Sequence, residues 1–179
     1  MEEMRLFFAI NFDDAMTDAL WHSVEDLQKA RLQGRYSRRE NLHLTLAFIG
    51  ETTRGDELLA LLDELEAAPF RLELGRCGLF RRSGGSIFWR SLRDSAELKA
   101  LQAQLTEKLA ARGFAVETRE FRPHITLARE VCLQDDFDLP GFSARQPRAG
   151  MTVSRLSLMR SDRIGGKLTY TEVGGKDLR

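Results

Sequence analysis

The chain has 179 residues, 42% of them hydrophobic and 30% charged, enough for one domain or two closely packed lobes with a core of their own and no staples. Lysine plus arginine and aspartate plus glutamate each number 27, so the balanced charge does not steer the protein toward DNA or an anionic membrane. What it leaves open is a partner that is anionic at one spot, and arginine, whose planar fork suits a phosphate, dominates the basic side.

The opening MEEMRLFFAINFDD is acidic with a short apolar run, unlike a secretory signal, and no stretch approaches the roughly 20 apolar residues of a membrane span. Two isolated cysteines, Cys77 and Cys132, form no CxxC pair and read as small buried residues; a reducing cytoplasm is the expected setting. RLFFAIN, from Arg5 to Asn11, predicts a strand. Asp13 or Asp14 can cap a helix over residues 14–32, where Met16, Leu20, Val24 and Leu27 recur at helical spacing before Gly34. Leu42 to Ile49 predicts a second strand. Leu58, Leu61, Leu62 and Leu65 mark a second helix, stopped by Pro69. Phe70 to Leu74 and Ser86 to Leu92 follow as strands, with a turn at Gly84-Gly85. Leu98, Leu101, Leu105 and Leu109 give a third helix closed by Gly113, and His124 to Arg129 a further strand. Residues 134–150, rich in Pro and Gly, read as loop. Val153 to Met159 and Lys167 to Val173 complete the set as strands.

One echo organises this order. HLTL at residues 43–46 and HITL at residues 124–127 contain two of the chain's three histidines, each in a strand that follows a long helix. Composition alone would produce such a pair with odds on the order of one in several thousand. The 81-residue offset suggests a degenerate duplication: two α+β lobes, each with a mostly antiparallel sheet. In a strand, residues i and i+2 share a face. His43 therefore projects with Thr45, and His124 with Thr126, while Leu44, Leu46, Ile125 and Leu127 turn to the other side. If the lobes face each other, two imidazoles and two hydroxyls converge on one groove.

Such a constellation suits phosphodiester hydrolysis. A neutral imidazole takes a proton from water, and an imidazolium gives one to the departing oxygen. Threonine hydroxyls donate to the non-bridging oxygens, and Arg129, farther along the same strand, can clamp the phosphate. Neither motif carries a carboxylate at i+2 or i+4, and His22 lies off the stripe of its helix, so no metal site is expected. Phe7 can stack a nucleobase or simply pack in the core.

At these residues, HLTLAFIG and FRPHITLAR with RLFFAI before them, the chain resembles the 2H phosphoesterase superfamily, and within it the bacterial and archaeal RNA 2′,3′-cyclic phosphodiesterases, also described as 2′-5′ RNA ligases. The resemblance implies one bilobal α+β domain over residues 1–179, with the active-site groove between two sheets and helices outside. It implies an enzyme, independent of metal or other cofactor, that opens a terminal ribose 2′,3′-cyclic phosphate to a 2′-phosphate. It makes His43 the proton donor and His124 the proton acceptor, with Thr45, Thr126 and Arg129 on the phosphate. The partners it implies are RNA ends or nucleotides bearing a cyclic phosphate, met by a monomer. Three other readings stand beside it: a 2′-5′ RNA ligase, a phosphodiesterase for another cyclic or 2′-5′-linked nucleotide, and a noncatalytic RNA-binding module.

Overall fold

The computed structural model describes residues 2–30 and 32–179. The first strand, β1 (Met4–Asn11), buries residues 6 to 10 without interruption, as a strand covered on both faces must. Helix α1 (Asp14–Lys29) starts where the Asp13 carboxylate accepts the Met16 amide at 2.9 Å, and it buries the expected stripe. A short strand β2 (Gln33–Tyr36) and a 3-10 turn (Arg39–Asn41) lead into β3 (His43–Thr52). Helix α2 (Gly55–Glu64), strands β4 (Phe70–Phe80) and β5 (Ser86–Leu92), and helix α3 (Ala96–Ala111) come next. They are followed by β6 (His124–Cys132), a short helix α4 (Leu139–Ala144), and strands β7 (Gly150–Val153), β8 (Arg155–Ile164) and β9 (Lys167–Asp177).

Two sheets result, ordered β3-β1-β8-β9 and β2-β6-β5-β4-β7, and every described pairing is antiparallel. The α+β architecture with two such sheets is the expected one. Its lobes are not the two halves of the chain, however. The C-terminal strands β8 and β9 complete the sheet that β1 and β3 begin, while β2, from the first half, pairs with β6. The helices are exchanged as well. α1 packs against β6 and β7, and α3 packs against β3, so the helix preceding each histidine motif supports the opposite motif's sheet. One contiguous apolar core, from Leu6 and Phe8 to Leu156 and Leu158, joins both sheets.

Three elements differ from expectation for local reasons. QGRY of β2 has no apolar alternation; it is an edge strand held by backbone bonds to β6. The Pro/Gly-rich stretch expected as loop contains α4, which the Asp138 carboxylate caps by accepting the Gly141 amide at 3.0 Å and Phe142 anchors against Phe88 and Phe137. The single strand expected at Val153–Met159 is divided at Ser154: β7 joins β4 in one sheet and β8 joins β1 in the other. Cys77 is buried as expected, but Cys132 is exposed at the end of β6. No helix among the described residues is long and apolar enough to cross a membrane.

Arg90 is 3% exposed and has no carboxylate partner among the described residues. Its guanidinium donates to Gly75 O at 3.0 Å, Pro147 O at 2.5 Å and Ser23 Oγ at 3.4 Å. It thereby ties β5 to β4, to α1 and to the segment before β7. Burial lowers its pKa from the ordinary arginine value, the expected consequence of removing a cation from water. Replacing Arg90 with alanine strands three acceptors and should cost about 2–4 kcal/mol in urea denaturation. A loss below about 0.5 kcal/mol, the range of a bland surface change, would contradict this role.

Candidate active site

Each His-x-Thr-Leu motif folds around the same irregularity. On β3, Thr45 pairs with Ala9 and Ala47 with Phe8, which leaves Leu46 unopposed. On β6, Thr126 pairs with Trp89 and Ala128 with Phe88, which leaves Leu127 unopposed. Each leucine is thus the extra residue of a β-bulge, and both are buried in the core. A bulge advances the alternation by one. The residue three positions after each threonine, which strict alternation would send to the far face, returns to the face of the histidine. Those residues are Phe48 and Arg129, and both line one cleft of about 700 Å³ together with His43, Thr45, His124 and Thr126.

Both histidines are set the same way. His43 Nδ1 lies 2.6 Å from Asn41 O, and His124 Nδ1 lies 2.8 Å from Arg122 O. A carbonyl only accepts, so each Nδ1 carries a proton and each neutral ring keeps its lone pair on Nε2. His43 Nε2 is 2.9 Å from Thr45 Oγ1, whose hydroxyl donates to it in that state. Burial pushes the pKa of both imidazoles below the ordinary histidine value. The carbonyl bonds oppose the shift, and the charge of Arg129 adds to it at both rings. At His124 the charge of Arg82 adds further. One guanidinium acting on both imidazoles places Arg129 within electrostatic reach of the two motifs.

Aromatic rings back the imidazoles. Phe7 and Tyr170 stand 5.1 and 5.0 Å from His43, and Phe80 meets His124 edge-on at 4.8 Å. Phe7 is 4% exposed and packs in a small cluster with Ala9 and Met159. Its burial corrects the suggestion that it stacks a nucleobase: it braces His43 from behind. Phe48 is 54% exposed in the cleft, with the Arg5 guanidinium 4.8 Å from its ring. Its place was open to inspection in the sequence, since Phe48 and Arg129 share one offset from their motif threonines. Tyr170 lines the cleft from β9 and has no local sequence signal.

One segment spans the two walls. Ser37 donates its hydroxyl to Thr126 O at 2.8 Å and its amide to Leu127 O at 2.9 Å. A few residues on, Arg38 and Asn41 both donate to Leu168 O at 3.0 Å, at the start of β9. Asn41 then supplies the carbonyl that orients His43. His22, the remaining histidine, lies apart from the cleft and pairs with Asp26 at 3.4 Å on the exposed side of α1. Among the described residues, no three His, Cys, Asp or Glu side chains gather as a metal's ligand set would.

Comparison with known proteins places this geometry in a family. Residues 16–165 match the family model described as the 2′-5′ RNA ligase superfamily. A protein of Escherichia coli K12 named RNA 2′,3′-cyclic phosphodiesterase is 31% identical over 175 residues, covering 95% of this chain and 94% of that one. One of the same name from Geobacillus stearothermophilus is 29% identical over 73% of this chain, but the match spans only 43% of that longer protein. The crystal structure of E. coli LigT in apo form superposes with a TM-score of 0.78 at 28% identity over 99% of both chains. The LigT structure complexed with 3′-AMP gives the same score, identity and coverage. With a match over most of its length and a fold shared throughout, the chain belongs to the 2′-5′ RNA ligase superfamily.

Proposed function

We propose that this protein is a phosphodiesterase that opens the 2′,3′-cyclic phosphate at an RNA end, using His43 as proton donor and His124 as proton acceptor. The observation that carries the reading is the pair of half-buried imidazoles, each with Nδ1 tied to a carbonyl, facing one cleft beside Arg129. The names of the E. coli and G. stearothermophilus relatives support the substrate class. That LigT, which shares this fold, forms a complex with 3′-AMP supports a nucleotide ligand.

The chemistry follows from the tautomers. His124 Nε2 takes a proton from water, which attacks phosphorus. The bond from phosphorus to O3′ breaks, and His43, protonated on Nε2, hands its proton to O3′. The product keeps the phosphate on O2′. Thr45 and Thr126 donate to the non-bridging oxygens, and the Arg129 guanidinium compensates their growing charge. The two roles ask for different protonation states. Arg82 adds its positive charge to that of Arg129 at His124 and so favours the neutral ring a base needs. At His43 the incoming phosphate anion offsets burial and restores the proton. Charge is handled by side chains alone, so turnover should survive EDTA. The terminal base has a platform in Phe48, whose exposed face suits ring stacking.

Substitution of either His43 or His124 by alanine should lower kcat/KM on an RNA with a cyclic phosphate end by about 10²–10⁴-fold each, with the folded state retained by circular dichroism. The wild-type product should map as a 2′-phosphate; a 3′-phosphate would mean the leaving oxygen is misassigned.

The pH dependence has a definite sign. Both free-enzyme pKa values lie below the ordinary 6.5, so the bell-shaped profile of kcat/KM should centre on the acidic side of that value. Arg129 lowers both. In Arg129→Ala both values rise, and the whole bell should move to higher pH as its height falls. A bell that drops without moving, or that moves to lower pH, contradicts the electrostatic account.

A further inference from the structure

Strand β6 carries a second irregularity, immediately beyond Arg129. Glu130 has a φ of +55°, in the left-handed region, and among the described residues it is the only one other than glycine that does. Both neighbouring ladders slip at this point. Against β5, Ser86 pairs with Val131 and Phe88 with Ala128, so Ile87 opposes both Arg129 and Glu130. Against β2, Gln33 pairs with Cys132 and Arg35 with Arg129, so Gly34 opposes both Glu130 and Val131. Glu130 is common to the two slips, a bulged residue with respect to each partner strand.

The burial pattern says what this turn of the backbone does. Arg129 lines the cleft, and strict alternation from it would send Glu130 into the core and Val131 out to the cleft. Val131 instead lies in the core at 3% exposure, and the Glu130 carboxylate stands outside, accepting from Arg35 Nε at 3.1 Å. The left-handed residue therefore keeps a carboxylate out of the core while Arg129 stays on the face of His124 and Thr126. Residues with a Cβ resist that conformation, so the surroundings must hold it. Glycines flank it on both sides. Gly85, at φ +111° in the turn between β4 and β5, lies so near that a Cβ there would stand 2.7 Å from the Glu130 Cα and carbonyl carbon. A Cβ on Gly34 would stand 3.1 Å from Arg129 O and from Val131 Cγ2. Two neighbouring backbones thus close on the kink at distances that side chains would forbid.

We propose that Glu130 is a positioning residue for the phosphate site: its left-handed backbone, clasped between Gly34 and Gly85, fixes where the Arg129 guanidinium stands in the cleft. The backbone carries this role and the carboxylate does not. The proposal rests on the part given above to Arg129 in gripping the phosphate.

Two variants at one position test it. Glu130→Gly and Glu130→Val both remove the carboxylate and differ in the backbone they accept: glycine takes positive φ freely, whereas a β-branched residue does not. On an RNA ending in 2′,3′-cyclic phosphate, kcat/KM of Glu130→Val should fall about tenfold below that of Glu130→Gly, the worth of one charge-assisted contact. Its bell-shaped pH profile should also lie at higher pH, because a displaced guanidinium no longer lowers the two imidazoles. Loss of the carboxylate alone leaves more positive charge near the cleft and acts in the opposite direction, so it cannot imitate this shift. In an Arg129→Ala background the two variants should have the same kcat/KM and the same profile. Gly85→Ala, which presses on the Glu130 backbone from the neighbouring turn, should move the wild-type bell the same way, and it carries the test if Glu130→Val is not recovered folded. The proposal is overturned by equal rates and bells for the two Glu130 variants, or by a slower Glu130→Val whose bell has not moved. A difference that persists without Arg129 also overturns it, since the kink would then serve folding alone. Failure of the underlying reading looks different: the wild type leaves the cyclic phosphate intact, or Arg129→Ala hydrolyses it at the wild-type rate.

Discussion

The cleft depends on two unpaired leucines. Leu46 and Leu127 have no partner across their ladders, and each lies in the core on the side away from its motif histidine. Their apolar burial holds each bulge in place, by about 1.5–3 kcal/mol for a fully buried side chain. The bulge in turn brings a third residue to the face that His and Thr already share. On β6 that residue is Arg129, which gives the site its cation. On β3 it is Phe48, which gives the site an exposed ring. The same backbone device therefore builds two unlike walls, one that grips charge and one that offers a flat apolar surface.

That difference is what allows a duplicated motif to do two jobs. Both imidazoles begin with the same tautomer, because a carbonyl two residues back accepts from each Nδ1. Their surroundings then separate them. His43 packs against both Phe7 and Tyr170 with Thr45 on its Nε2, whereas His124 meets Phe80 and feels two guanidiniums. The exchange of helices and strands between the sheets makes the walls one mechanical unit. Ser37 is bonded to β6, and Arg38 and Asn41 to the start of β9, so the segment that orients His43 is anchored on both sides of the cleft.

How much of this the sequence shows depends on how local each cause is. The histidine–threonine faces follow from period two, and the helices from their leucine stripes; both are properties of a few consecutive residues. The doubling of the motif pointed to a groove between two sheets. The exchange of strands between lobes was not legible, because pairing of β2 with β6 or β8 with β1 is decided by partners more than a hundred residues apart in the second case. Phe7 shows the limit well. Its aromatic character suggested a stacking role, but it lies before the bulge and inside the small core, and the exposed ring is Phe48. Tyr170 reaches the cleft only through the sheet order.

The central claim is that the two histidines are inequivalent, with His43 serving the leaving oxygen and His124 the attacking one. It is tested most directly with a substrate whose 3′-bridging oxygen is replaced by sulfur. A thiolate leaves without a proton, so the acid is no longer needed. The account predicts that this substrate restores most of the turnover lost in His43→Ala and none of that lost in His124→Ala. Rescue of His124→Ala, or equal rescue of both variants, would contradict it.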